Sequence, residues 1–187
     1  MLKKEIRVIG IDDSPFKKFQ KGKVLVVGSV FRGGLFLDGV LSTKVTLDGN
    51  DSTKNLTEMV NKCKFKPQLQ CIFLDGIAVA GFNVIDILNL NKKTKIPVIV
   101  IIRKMPDIKK IRETLTKINK KGKIKLIEKA GPVISMGKIY IQLAGISIEK
   151  AKEILEIACT RSLIPEALRI SHLIASGIVD GESRGKA

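Results

Sequence analysis

The chain has 187 residues and 44% of them are hydrophobic, enough for one well-buried domain and short for two. Lys and Arg number 34 against 18 Asp and Glu, a formal charge of +16 that suits a polyanionic partner; scattered lysines of this kind are equally what a heat-adapted proteome produces. Aromatic residues make up 4% with no Trp, which disfavours a single-strand binder that works by base stacking, and one histidine cannot build a multi-histidine zinc site.

The charged start, Met1-Leu-Lys-Lys-Glu-Ile-Arg7, runs straight into a strand without an apolar secretory segment, so the expected location is cytoplasmic. Strands are predicted over Ile6 to Ile11, Val24 to Phe31 and Leu35 to Leu47, with Gly33-Gly34 turning the second into the third, so that all three are antiparallel neighbours. Asp51-Ser52 caps a helix in which Leu56, Met59, Val60 and Cys63 recur at helical spacing. Cys71 to Leu74 is an apolar run of the buried parallel type, Asn83 to Leu90 a short capped helix, and Pro97 to Ile102 another buried strand. The longest apolar stretch, 96–102, is far too short to cross a bilayer, so no membrane is expected. Ile108, Ile111, Leu115 and Ile118 mark an amphipathic helix, and Ile124 to Ile127 and Ile139 to Leu143 are read as strands on either side of a Gly131-Pro132 turn.

Ser147 then caps a helix carrying Ala151, Ile154, Leu155 and Ala158. Pro165 opens the last helix at no hydrogen-bond cost, and Glu166 suits the positive end of its dipole. From that helix Arg169 and His172 project to one side, beside an apolar stripe of Ile170, Leu173 and Ile174. Cys63, Cys71 and Cys159 are odd in number and lack a C-x-x-C, so they read as core residues of a reducing compartment. The fold class expected is α/β: an antiparallel three-strand meander continued by parallel βα units into a mixed sheet, with helices on its faces. One domain over residues 1–176 and a flexible tail over 177–187 complete this expectation.

Asp12 and Asp75 each close an apolar strand, in Val8-Ile-Gly-Ile-Asp12 and Ile72-Phe-Leu-Asp75-Gly76. If those strands are neighbours, the two carboxylates meet at the sheet's edge, where they suit a hard cation such as magnesium. Two such ions about 4 Å apart can clamp the attacking and leaving oxygens of a phosphodiester. Against this, Asp75-Gly76 reads equally as a turn and Asp13-Ser14 as a loop opening. A third acid is expected after the third strand, in Leu47-Asp-Gly-Asn-Asp-Ser52, where Asp51 competes with a helix-cap role and Asp48 with a turn role. Asp38 reads as a turn or bulge residue. Arg103-Lys104 follows the fifth strand and puts two cations near Asp75, for a phosphate or simply for solvent. His172 works with carboxylates or is structural. No P-loop, dinucleotide fingerprint or G-x-S-x-G elbow is present, so no nucleotide cofactor is expected.

This arrangement resembles endonuclease V, a ribonuclease H-like metal nuclease family, and more closely its archaeal relatives known as domain of unknown function 99. The carboxy-terminal third carries most of the likeness. Ile141-Gln-Leu-Ala-Gly-Ile-Ser-Ile-Glu149 and Thr160-Arg-Ser-Leu-Ile-Pro-Glu-Ala-Leu-Arg-Ile-Ser-His172 resemble the family's glycine-bearing strand, its Ser-Leu-Glu helix start and its Leu-Pro-Glu-x-x-Arg-x-x-His element. Asp12 falls on the family's first-strand aspartate and Asp75-Gly76 on its Asp-Gly. The family's Tyr-x-x-Gly wedge has no counterpart; Gly34 to Gly39 and Leu47 to Asp51 stand in that region.

The resemblance implies a ribonuclease H-like sheet and a phosphodiesterase acting on DNA or RNA with Mg2+ or Mn2+. It implies Asp12 and Asp75 as shared metal ligands, Asp51 or Asp48 as the third acid with Asp51 on the metal, and His172 near the outer metal or the leaving group. Arg103, Lys104 and Arg169 would meet phosphates. The alternative is a nucleic-acid-binding protein that keeps the nuclease fold without cleavage.

Overall fold

A computed structural model describes residues 4–17 and 21–183. Strands β1 (Arg7–Asp13), β2 (Lys23–Arg32) and β3 (Phe36–Thr46) form the antiparallel meander, and helix α1 (Ser52–Lys62) follows. Next come β4 (Leu69–Asp75), a two-residue hairpin of β5 (Ala78–Val79) and β6 (Asn83–Val84), helix α2 (Ile87–Thr94) and β7 (Val98–Ile102). Helices α3 (Ile108–Lys117) and α4 (Gly122–Lys129) precede β8 (Ile134–Met136), β9 (Ile139–Ala144), α5 (Ile148–Ala158) and α6 (Glu166–Asp180).

The main sheet has seven strands in the order β3-β2-β1-β4-β7-β9-β8. Its centre, β1-β4-β7, is parallel, and β9 and β8 add antiparallel at one side. Strand alternation divides the buried side chains into two layers. Ile9 and Ile11 of β1 join Leu56, Val60, Ile87 and Leu90 from α1 and α2 on one face. Val8 joins Ala151, Ile154, Ala167 and Leu168 from α5 and α6 on the other. The expected mixed sheet with helices on both faces is therefore the one observed.

The docking of α6 depends on position 10. A Cβ at Gly10 would collide with the backbone of Ala167 and Leu168, so only glycine lets the helix lie this close to β1. Buried hydroxyls then fix it in register: Ser171 Oγ donates to the Gly10 carbonyl at 2.7 Å and accepts from the Ser29 amide at 2.8 Å, while Ser29 Oγ donates to the Ala167 carbonyl at 2.5 Å. The residue after Ser171 is His172, so this packing sets where the imidazole stands.

Several local expectations are corrected. Ile124 to Ile127 lie inside helix α4, not in a strand, because buried Lys123 anchors the segment's first turn and the alternating Lys-Ile-Lys-Leu pattern mimicked a strand. The helix expected from Asn83 starts only at Ile87: Asn83 and Val84 pair with Val79 and Ala78, and Asp86 caps α2 through the Asn89 amide at 2.9 Å. Helix α6 continues through 177–180 and ends on Gly181 in the left-handed conformation, so the tail expected from Gly177 is helical in its first four residues. Residues 184–187 lie outside those described.

Candidate active site

The parallel pairing of β1 and β4 puts Ile11 opposite Leu74, so the next residues, Asp12 and Asp75, stand side by side at the carboxyl ends of both strands. Asp12 is 5% exposed. Its side chain turns toward α6, where His172 Nδ1 lies 3.0 Å from Asp12 Oδ2. A carboxylate can only accept, which leaves Nδ1 as the donor and Nε2 open to a proton acceptor or donor from outside. Asp75 pairs with Ile101 of β7, and two residues on Arg103 returns to donate to Asp75 Oδ2 at 2.9 Å. Lys104 is exposed beside it.

A third carboxylate stands at the same edge, and it is Asp13. Alternation sends its side chain to the sheet face opposite Asp12, where Asp13 Oδ2 accepts from the Ala80 amide at 2.6 Å. Its own amide donates to Asp12 Oδ1 at 2.9 Å. Burial, and then the adjacent charge of Asp12, push the Asp13 carboxyl up to about 7. The same two causes raise Asp75, with Arg103 and His172 opposing them. His172 is raised in turn, chiefly by its hydrogen bond to Asp12. The charge of Asp12 thus presses on both Asp13 and Asp75 at a water-poor edge, an imbalance that a bound cation would relieve.

Asp48 and Asp51 sit in a different setting. Asp51 accepts from the Thr46 amide at 3.0 Å, the Thr46 hydroxyl at 2.8 Å, Asn83 Nδ2 at 2.7 Å and Asn55 Nδ2 at 3.3 Å. Burial pushes it up, but these bonds outweigh burial and hold its carboxyl below the usual range. It flanks α1 without a side-chain bond to the helix's first amides, so the capping role expected for it is replaced by a clasp across the β3–α1 turn. Asp48 takes a positive φ of 53°, and its Oδ1 accepts from the Phe82 amide at 2.7 Å. Lys120 and Lys123 reach the same turn: both Nζ atoms donate to the Asp48 carbonyl, at 2.6 and 2.9 Å, and Lys123 also donates to the carbonyls of Gly49 and Phe82.

The turn touches the carboxylate edge through one residue, Ala80. Asp48 donates its amide to the Ala80 carbonyl at 2.8 Å, and the Ala80 amide is the group that holds Asp13.

The structure therefore brings together Asp12, Asp75, His172 and Arg103. It engages Asp48 and Asp51 in a turn joined to that edge through Ala80. Arg169 is drawn aside by buried Glu166, whose Oε2 accepts from Arg169 Nε at 2.8 Å. Asp38, read as a turn or bulge residue, is the bulge residue of β3, skipped between Gly39 opposite Val30 and Leu37 opposite Phe31, and it holds Arg7 at 2.6 Å and Arg32 at 2.7 Å. Asp13 was not among the acids expected from the sequence, although its place in the last strand position after Asp12 was a usable signal.

The donor set of Asp12 and Asp75 consists of hard carboxylate oxygens, and the repulsion of Asp75 by Asp12 fits a hard divalent cation. Among the described residues, however, no three His, Cys, Asp or Glu side chains are arranged as a ready metal cluster. His172 takes an oxygen of Asp12, and Arg103 takes an oxygen of Asp75. The residues fit such an ion in chemistry.

The family model described as endonuclease dU matches residues 4–179. A UPF0215 protein of Methanothermobacter thermautotrophicus is 49% identical over 191 residues, covering 100% of this chain and 94% of that protein. The crystal structure of a protein of unknown function from Archaeoglobus fulgidus is 40% identical, with a TM-score of 0.87 over 94% of this chain and 99% of that one. Endonuclease V of Bacillus subtilis superposes with a TM-score of 0.62 at 10% identity, covering 90% of this chain and 78% of that one. Endonuclease V of Ciona intestinalis, solved with a 24mer DNA containing an inosine followed by a ribo-adenosine, gives 0.55 at 18%, over 90% and 83%. At such identities the likeness shows the fold, a ribonuclease H-like one.

Proposed function

Because the chain belongs to the endonuclease dU family, we propose that it is a divalent-metal-dependent phosphodiesterase that cuts nucleic acid strands at a deaminated nucleotide, with deoxyuridine in DNA as the first substrate to try. The observation that carries this reading is the side-by-side placement of Asp12 and Asp75 at the ends of neighbouring parallel strands, with His172 on the first and Arg103 on the second.

In this reading Asp12 and Asp75 would hold the cation; Mg2+ or Mn2+, when bound, would supply the charge that makes attack on a phosphodiester feasible at neutral pH. His172 is oriented by Asp12 and presents Nε2 to the leaving oxygen, so it returns a proton there. Arg103 turns from Asp75 to the scissile phosphate, and Lys104 draws the neighbouring phosphate toward the edge. Asp48 and Asp51 brace the turn that supports Asp13 through Ala80. Asp48 and Asp51 thus act by positioning.

The test uses single- and double-stranded DNA and RNA, each with and without deoxyuridine, deoxyinosine or their ribose counterparts, in Mg2+ and in Mn2+. The wild type is expected to cut at or beside the deaminated nucleotide, and Asp12→Asn or Asp75→Asn to abolish cutting with an unchanged melting temperature. A wild type that binds these strands, cuts none, and is matched in binding by Asp12→Asn would make the protein a binding module on a nuclease fold.

A further inference from the structure

Lysines are scattered along the whole chain, but half of the net charge is concentrated in one segment. Residues 103–129 hold 11 of the 34 Lys and Arg and 3 of the 18 Asp and Glu, a net +8 in 27 residues. The remaining 160 residues carry the other +8 between them. Those 27 residues are the segment between Arg103 and the end of α4, a pair of helices that presents almost all of its cations to solvent. In α3 only Leu115 is buried, and in α4 only Lys123.

The helical pair is anchored at the carboxylate edge and at the neighbouring Asp48 turn. It leaves the sheet at Arg103, whose guanidinium is on Asp75, and it is seated again by Lys120 and Lys123 on the carbonyls of the Asp48 turn. Arg112 to Glu128 at 2.6 Å ties the two helices together, and Lys129 to Asp86 at 2.6 Å ties α4 to the cap of α2. Lys109, Lys110, Lys117, Lys121 and Lys125 are exposed and, among the described residues, form no ion pair. Lys121 and Lys125 stand one helical turn apart, and Lys110 and Lys117 two turns apart, so each pair shares a face. Heat adaptation would pair such lysines with acids in surface networks, which these five lysines do not form among the described residues.

We propose that the α3–α4 pair is an electrostatic arm that grips the phosphate backbone of a nucleic acid duplex beside the carboxylate edge, independently of sequence. The proposal rests on the nucleic-acid reading above, and it concerns holding the strand rather than cutting it. Spaced, unpaired ammonium groups at helical intervals fit a ladder of phosphates, each neutralised with release of a counterion. The hydroxyl and amide side chains that read base edges are sparse on the exposed faces here, so the arm contributes affinity without preference.

The experiment places the Asp12→Asn change in every protein so that cleavage cannot intrude, and measures the anisotropy of a fluorescein-labelled DNA duplex over a salt series. One variant replaces Lys109, Lys110, Lys117, Lys121 and Lys125 with Gln. The control replaces five exposed lysines of the α1–α2 side, Lys54, Lys62, Lys64, Lys92 and Lys93, with Gln. The arm variant is expected to bind at least roughly tenfold more weakly at low salt, with the slope of log Kd against log salt flattened by about 0.9 for each phosphate that is no longer neutralised. The control is expected to weaken far less. Circular dichroism melts check that both variants fold. Equal weakening in the two variants would mean a diffuse field and overturn the arm, as would binding to phosphatidylserine vesicles in place of DNA. A wild type that cuts nothing but shows this difference in binding would sink the nuclease reading and leave the arm standing.

Discussion

Two groups of aspartates lie at the same end of the sheet and have opposite characters. At the strand ends, Asp12, Asp13 and Asp75 are crowded, and burial with mutual repulsion raises the carboxyls of Asp13 and Asp75. In the turn after β3, Asp51 is encircled by four hydrogen-bond donors that hold its carboxyl low, and the Asp48 peptide is grasped by two lysines. A carboxylate whose lone pairs are filled by amides has little left to offer a cation or a substrate, and its removal should cost stability. One that is destabilised by its neighbours is poised to take a positive partner, and its removal should cost function.

The sharpest break in that comparison is expected at His172, which serves the first group. Its Nδ1 is committed to Asp12, so His172→Ala removes the proton donor at Nε2 and should lower the cleavage rate by about 10²- to 10⁴-fold. The packing of α6 rests on Gly10, Ser29 and Ser171, not on the imidazole, so the melting temperature should barely move. Single-turnover cleavage and thermal melts of the same preparation check both halves. A loss of stability that matches the loss of rate would make His172 a structural residue.

Next comes the second group. Asp51→Ala deprives Thr46 and buried Asn83 of their acceptor, which should destabilise the fold by about 1–3 kcal/mol, a fall of several degrees in melting temperature. Cleavage below the new melting temperature should remain within an order of magnitude of wild type. An Asp51→Ala protein that melts normally but cannot cut would restore Asp51 as the third metal ligand and erase the distinction between the two groups.

How much of this was legible in the sequence follows from the same contrast. Asp12 and Asp75 are recognisable because each terminates a local apolar run, and parallel neighbours bring such ends together. The meander, the strands before Asp75 and Arg103, and the capped α5 are likewise written in local periodicity. The partners that decide the character of Asp48 and Asp51 are not local: Asn83 is 32 residues from Asp51, and Lys120 and Lys123 are 72 and 75 residues from Asp48. Helix α4 was hidden for a related reason. Lys123 looks like a surface lysine in an alternating strand, yet its ammonium is buried against three carbonyls that no spacing rule could assign to it. Asp13 was masked by its neighbour, since one strand end reads naturally as one acid.

The smallest expected effect is the most discriminating for Asp13. Its carboxyl titrates near 7 in the folded protein against an ordinary value of 3.8, so the folded state holds a proton over a range where the unfolded chain has lost it. Stability from this group therefore declines as pH rises from about 4 to about 7 and is flat above, the reverse of a salt-bridged aspartate. Asp13→Asn cannot ionise, and its amide oxygen can still accept from the Ala80 amide. In chelator, the melting temperature of Asp13→Asn relative to wild type should climb by a few degrees between pH 4 and pH 7 and then level off. Adding Mn2+ at pH 8 should narrow the difference, because the ion offsets the charge of Asp12 that presses on Asp13 in the wild type. A difference that is constant across pH would mean that neither burial nor Asp12 raises the Asp13 carboxyl, and the crowded edge would then resemble the satisfied turn it is contrasted with.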